Sequence, residues 1–195
     1  VLSNMNEPLG FAIGNSLEIK EVVEILSGKD VNDLTEITIA LAKEAINLVE
    51  GGVSQDINME LKELLLGGAA LKKFEEMILS QGGSVDFHKL KKANHIEYLK
   101  SESPGYIEKV DANIIGEIVH ELGAGRKNVS DFIDHSVGIV LHKKHGDFVN
   151  KGETLLEIHG KDEEAILNVK RRATSSIILG QNPPSKLKLI EEIIG

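Results

Sequence analysis

Residues 8–18, Pro-Leu-Gly-Phe-Ala-Ile-Gly-Asn-Ser-Leu-Glu, constrain the fold of this chain more than any other stretch. Pro8, Gly10 and Gly14 make a compact loop, and Asn15 with Glu18 three residues later opens a helix in the manner of a capping box. A loop of this kind needs other structure to fold against, yet only Val1-Leu2-Ser3 stand before the Asn4-Met5-Asn6-Glu7 that leads into it. The chain therefore reads as the later portion of a larger protein, and a first residue other than Met agrees with that expectation.

Beyond the loop the pattern is helical as far as Ser80. Leu17, Glu21, Ile25 and Val22, Leu26 fall on neighbouring helical rows, and Gly28 follows the last turn. Asp33 with Glu36 starts a second helix carrying Leu34, Ile37, Leu41, Ala45 and Leu48 at spacings of three and four, stopped by Gly51-Gly52. A third helix fits 57–66, and a fourth runs from Ala69 through Leu71, Phe74, Met77 and Ile78 to Gly82-Gly83. The Met and Leu positions of these helices are expected in a core.

Residues 84–100, with Lys89-Leu90-Lys91-Lys92 and little apolar periodicity, read as a connection. After it the texture changes. Residues 106–110 and 137–141 are strand-like, 112–122 carries a helical apolar pattern ending in Gly123-Ala124-Gly125, and the glycine-punctuated run 145–158 reads as a hairpin. A helix over 163–172 and a strand over 175–179 follow, before Pro183-Pro184 breaks the chain. The expected class is α+β, with a helical part (1–83), a connection (84–100) and an α+β part (101–195).

Composition excludes more than it identifies. A net charge of −9 argues against a duplex nucleic-acid binder, and the one dense basic run, Lys170-Arg171-Arg172, reads as a solvated helix face. The absence of cysteine removes disulfides and thiolate zinc sites. No apolar stretch approaches the roughly 18 residues a membrane span needs, and the cytoplasm is the expected compartment.

Reactive motifs are sparse. Gly123-Ala124-Gly125 lacks the third glycine of a dinucleotide fingerprint. Asp134, His135 and Ser136 have the right types for a hydrolytic triad, but consecutive side chains diverge. The seven histidines are scattered, and His142 and His145 read as surface residues with no carboxylate to complete a ligand set. One constellation has site character. The loop 8–14 can present backbone carbonyls, and Glu21 lies up to two turns into the following helix. Carbonyls with one carboxylate suit a hard cation such as potassium, sodium or calcium. A capping loop with a solvated Glu21 accounts for the same residues, and the residues alone favour it.

Met5-Asn6-Glu7-Pro8-Leu9-Gly10, Ala12-Ile13-Gly14-Asn15 and Leu17-Glu18 resemble a segment of bacterial pyrimidine-nucleoside and thymidine phosphorylases. Further similar segments occur in the same order: Ala69-Ala70-Leu71-Lys72-Lys73-Phe74 with Gln81-Gly82-Gly83, then Leu122-Gly123-Ala124-Gly125-Arg126 with Ile133-Asp134 and Ser136-Val137-Gly138-Ile139, then Gly146-Asp147, Val149 and Lys151-Gly152-Glu153. Asn4 departs from the family, which usually carries Asp there.

The resemblance implies reversible phosphorolysis, in which pyrimidine nucleoside and phosphate give free base and pentose 1-phosphate. It implies that residues 1–83 are closing helices of a central α/β domain that binds phosphate and nucleoside, and that 101–195 is a C-terminal α+β hammerhead-like domain. The family's phosphate loop, base-binding residues and catalytic His precede Val1, so no catalytic residue is expected here and the isolated chain is expected to be inactive. The intact enzyme is expected to be a homodimer with a potassium ion and no organic cofactor. The matching cation ligands are the backbone oxygens of Leu9 and Ala12 and the carboxylate of Glu21. Gly125 and Arg126 resemble the start of a loop that packs over the cleft on closure. Two other readings stand beside this one. Residues 146–158 also resemble the hairpin of biotinyl and lipoyl carriers, with Lys161 a poor substitute for their modified lysine, and the acidic balance suits a non-catalytic assembly module.

Overall fold

The computed structural model describes residues 1–29, 32–126 and 128–194. In chain order its elements are β1 (Leu2–Ser3), β2 (Ala12–Ile13), α1 (Asn15–Leu26), α2 (Asn32–Glu50), α3 (Ile57–Leu66), α4 (Ala69–Ser80), β3 (His95–Lys100), β4 (Gly105–Val110), α5 (Ala112–Val119), β5 (Gly138–Leu141), β6 (Phe148–Val149), β7 (Thr154–Gly160), α6 (Glu163–Ser175), β8 (Ile177–Gly180) and β9 (Ile190–Glu192). The class is α+β, as expected. Two compact units divide the chain: Val1–Ser3, Lys20–Lys89 and the stretch from Leu189 make one, and Asn4–Ile19 with Leu90–Lys188 make the other.

In the helical unit the predicted starts and stops hold. Gly51 (φ 72°) and Gly82 (φ 76°) take left-handed backbone that ends α2 and α4. Phe74 of α4 stacks on Phe87 with ring centroids 6.1 Å apart, and β1 pairs antiparallel with β9. The expectation that the Met and Leu positions are core is corrected. Ile25, Leu26 and Ile37 are buried, but Leu41 is 49%, Leu48 85%, Met59 61% and Met77 47% exposed. Helical spacing puts these residues on apolar stripes, and a stripe becomes core only when a second layer covers it.

The second unit holds two antiparallel sheets, of order β2-β5-β7-β3 and β6-β4-β8. Register explains its core. Ile139 and Leu141 of β5 face Ile158 and Leu156 of β7, and all four are at most 2% exposed. The residues between them, Val140 and Glu157, turn to the opposite face, as the pleat requires. Ile115, Ile118 and Leu122 from α5 and the turn after it, and Ile166, Val169 and Ala173 from α6, join the same cluster. Each fully buried Ile or Leu contributes about 1.5–3 kcal/mol over its exposed state.

Two expectations fail for stated reasons. Residues 95–100, inside the span read as a connection, form edge strand β3 paired along β7. Its alternation was hidden because Ile96 (44%) and Tyr98 (51%) lie outward, while Glu97 faces α6 and accepts a 2.6 Å hydrogen bond from Lys170 Nζ. The run 145–158 is no hairpin: β6 pairs with β4, whereas β7 pairs with β5 and β3, so the turn at 150–153 carries the chain from one sheet to the other.

Asp111 caps α5, its Oδ1 accepting from the Ile114 N–H at 3.1 Å. The hydrogen bond from Lys109 and the Ile114 amide hold its carboxyl below the usual carboxylate range. A lowered value means stability present above the unfolded-state value and lost as pH falls through the folded one. Asp111→Asn keeps a capping oxygen but loses the charge, so urea melts should show a deficit of at most about 1 kcal/mol at pH 7 that shrinks as pH falls below the ordinary carboxylate range. A deficit that stays the same at every pH below the ordinary carboxylate range would refute the electrostatic account.

Candidate functional site

The loop between Pro8 and Gly14 is seated on β5. Ala12 and Ile13 pair with Val140 and Ile139, and the Leu141 N–H donates to Phe11 O at 2.7 Å. That bond makes Phe11–Leu141 a hydrogen-bonded pair and Ala12–Val140 a pair that exchanges none, which turns the Ala12 peptide groups toward the outer edge of the sheet. The approach at Gly14 and Gly138 is close. A Cβ on Gly14 would meet Val137 O at 2.4 Å, and one on Gly138 would meet Ile13 O at 2.2 Å.

The helix start differs in detail from the expected capping box. Glu18 Oε1 accepts from the Gly14 N–H at 2.9 Å, so the reciprocal half of the box closes on Gly14. Asn15 Nδ2 instead donates to Ala124 O at 3.1 Å. Asn4, despite its departure from the family pattern, still forms a local turn, accepting from the Asn6 N–H at 2.9 Å.

The loop is gripped by residues whose pairing with it sequence spacing does not show. Lys144, its side chain 11% exposed, donates from Nζ to Pro8 O at 2.8 Å and lies 3.8 Å from Glu7 Oε1. The same ammonium stands 5.5 Å from the centre of the Phe11 ring. The His145 N–H donates to Glu7 Oε2 at 3.0 Å, and the His145 ring spans Glu108 O (2.9 Å) and Ser185 O (2.8 Å). The Lys144–Pro8 and His145–Glu7 contacts join positions 136 and 138 residues apart.

Of the predicted cation ligands, Leu9 and Ala12 lie on this loop in the second unit, three residues apart, and Glu21 lies on α1 in the stretch that belongs to the helical unit. Among the described residues no group of three or more His, Cys, Asp or Glu side chains is placed to hold a metal. A site built mainly from carbonyl oxygens is of a different kind, and that donor chemistry suits a hard cation. Gly125 and Arg126 follow a wide helical turn over His120–Ala124. His120 Nε2 meets Arg126 O at 3.0 Å, and a Cβ on Gly125 would come within 2.3 Å of the His120 ring. Gly125 shares a cavity of about 200 Å³ with Gly14, Asn15, Glu18 and His120, which puts the predicted closure segment against the start of α1. Lys127 lies outside the described residues.

Other sequence candidates resolve structurally. Ser136 Oγ donates to Asp134 Oδ1 at 2.6 Å and the His135 carbonyl takes the Ser16 N–H, so the three residues anchor a turn and align no nucleophile with a base. His142 does find a carboxylate: it and His159 hold the two oxygens of Glu157 at 2.8 and 2.9 Å. Burial pushes the Glu157 carboxyl up, but the two histidine hydrogen bonds outweigh it and keep the group below its ordinary value. Lys170 and Arg172 of the basic run pair with Glu97 and Glu121. Lys161 immediately precedes Asp162, which caps α6 through the Ala165 N–H at 2.8 Å, and so stands at a helix start and not at a strand turn. Among the described residues no helix is long and apolar enough to cross a membrane.

Residues 106–179 match the family described as pyrimidine nucleoside phosphorylase C-terminal domain. The chain is 40% identical over 187 residues to the pyrimidine-nucleoside phosphorylase of Staphylococcus haemolyticus, a match covering 93% of this chain and 43% of that protein. It is 34% identical over 199 residues to the pyrimidine-nucleoside phosphorylase of Geobacillus stearothermophilus, covering 100% of this chain and 46% of that one. The chain thus spans somewhat less than half the length of these curated relatives.

Proposed function

Since this chain carries the C-terminal domain of the pyrimidine nucleoside phosphorylases, we propose that it supplies the scaffold portion of an enzyme performing reversible phosphorolysis of a pyrimidine nucleoside. In that reaction the bond between the base nitrogen and the pentose C1 breaks, a phosphate oxygen takes its place at C1, and the base leaves with a proton on nitrogen. Homologous matches along nearly the whole chain carry this reading.

The chain's own part is positioning. Leu9 and Ala12 through their backbone oxygens, and Glu21 through its carboxylate, are the residues that would hold a potassium ion in the intact enzyme. Bound there, potassium supplies fixed positive charge for an anionic substrate. Gly125 and Arg126 begin a segment that closes over the cleft. Phosphate, base and the catalytic groups belong to the polypeptide that the relatives carry outside the matched region, as does dimerisation, so this chain alone is inactive. Nothing favours a carrier role, given the placement of Lys161 before α6 and the separation of β6 from β7.

A chimera decides the matter. When this chain replaces the matched region of the Staphylococcus haemolyticus protein, uracil or thymine release should persist with phosphate, and this chain alone should release neither. Glu21→Gln in the chimera should raise the potassium needed for half-maximal rate by about tenfold or more. A folded chimera without phosphorolysis would remove the proposal.

A further inference from the structure

Lys144 contacts one short loop at Glu7, Pro8 and Phe11, on both sides of Leu9 and next to Ala12, the proposed cation ligands of that loop. Its Nζ donates to Pro8 O at 2.8 Å, stands 3.8 Å from Glu7 Oε1 and lies 5.5 Å from the Phe11 ring centre. An ammonium this far out of water needs such partners, because an uncompensated charge there is strongly unfavourable. The geometry points to Lys144 as the positioning residue of the carbonyl loop, its charge fixing the backbone of residues 8–12 in the shape that presents the Leu9 and Ala12 oxygens.

The route of that influence is short. Pro8 has a locked φ, so the Pro8–Leu9 peptide plane is the next freedom in the loop. Lys144 holds the oxygen of that plane, and thereby sets the direction in which the following Leu9 carbonyl starts. On the other side of Leu9, Phe11 O is held by the Leu141 N–H at 2.7 Å and its ring by the ammonium. Lys144 is itself placed firmly. Its own N–H donates to Asp147 Oδ2 at 2.8 Å, and the next residue, His145, is tied to Glu7, Glu108 and Ser185. Every group in this latch belongs to the same compact unit. The inference deepens the cation reading and rests on it only for the second of two readouts.

The first readout is amide exchange of the whole chain, followed by NMR in tetramethylammonium chloride, with no potassium present. Lys144→Met keeps the apolar stem and removes the charge. Exchange at residues 9–12 and at Leu141 should accelerate about tenfold or more while Leu156 and Ile158 of β7 stay unchanged. Lys144→Arg, which restores a cation, should remain within about threefold of the parent. The second readout is a potassium chloride titration, in which Lys144→Met should raise the midpoint of loop protection about tenfold. Unchanged loop exchange in Lys144→Met overturns the inference, and so does acceleration spread evenly through β7. An unchanged potassium midpoint on a loosened loop overturns it as well. If the parent chain alone shows no potassium response, the potassium midpoint is read in the chimera with the Staphylococcus haemolyticus protein, and the exchange comparison in the chain decides for or against Lys144. Should Lys144→Met not fold, Glu7→Gln leaves the lysine stem packed. Local acceleration at residues 9–12 then supports the latch, and its absence overturns it.

Discussion

Ile158→Ala should lower the stability of the C-terminal domain by about 3–4 kcal/mol, within the range for deleting a buried branched side chain and leaving a cavity. Ile158 is wholly buried, faces Ile139 across the β5–β7 pair, and lies in a cluster fed by both sheets and by α5 and α6. β7 is itself interior, paired with β5 on one side and β3 on the other, which limits collapse around the gap and places the expected loss above the middle of the range. Both tyrosines of the chain, Tyr98 and Tyr106, lie in this unit, and there is no tryptophan, so tyrosine fluorescence in urea reports its unfolding. Ile96→Ala provides the comparison. Ile96 lies on the outer face of β3 at 44% exposure and should lose less than about 1 kcal/mol. Equal losses at the two positions would mean that the assignment of inner and outer faces is wrong.

What was legible in the sequence follows a physical division. Helices were legible because their signals are local: the bounds of α3, and the glycines that end α2 and α4, depend on residues a few positions apart. Whether their stripes become core was not, since burial depends on what covers a helix. The exposures of Leu48 and Met59 show that spacing alone does not answer that question. Strand β3 escaped because Glu97 occupies an inner position made tolerable by Lys170, 73 residues away. The run 145–158 reads as a hairpin because glycine turns mark where a chain bends, and not which sheet its arms join. At the candidate site the loop and its glycines are evident from residues 8–14, while the contacts of Glu7, Lys144 and His145 are not, and His145 reads from sequence as a surface residue. Each meets its partner only through the pairing of β2 with β5 and the turn after it.

Gly14→Ala should be as damaging as the core deletion, by a different route. The backbone at Gly14 has φ 139°, where an L side chain is strained, and the added Cβ would stand 2.4 Å from Val137 O and 3.0 Å from Gly138 Cα. Both obstacles are backbone, so no rotamer change relieves them. Either the β2–β5 seam opens or the start of α1 moves, and with it the Glu18 and Ser16 bonds that fix the loop to the domain. A loss of about 3 kcal/mol or more is expected in tyrosine-monitored urea unfolding, together with faster amide exchange at Ile13 and Ser16. Gly116→Ala is the counterpart with opposite sign. Gly116 lies inside α5, and a Cβ there would meet nothing within 4 Å, so alanine should stabilise by about 0.5–1 kcal/mol through helix propensity. The pair separates two reasons for a glycine in this chain: at 14 the backbone of another strand occupies the space a side chain needs, and at 116 the space is empty. If Gly14→Ala were neutral, the loop would not be pressed against β5 as described, and the placement of the Leu9 and Ala12 oxygens would lose its foundation.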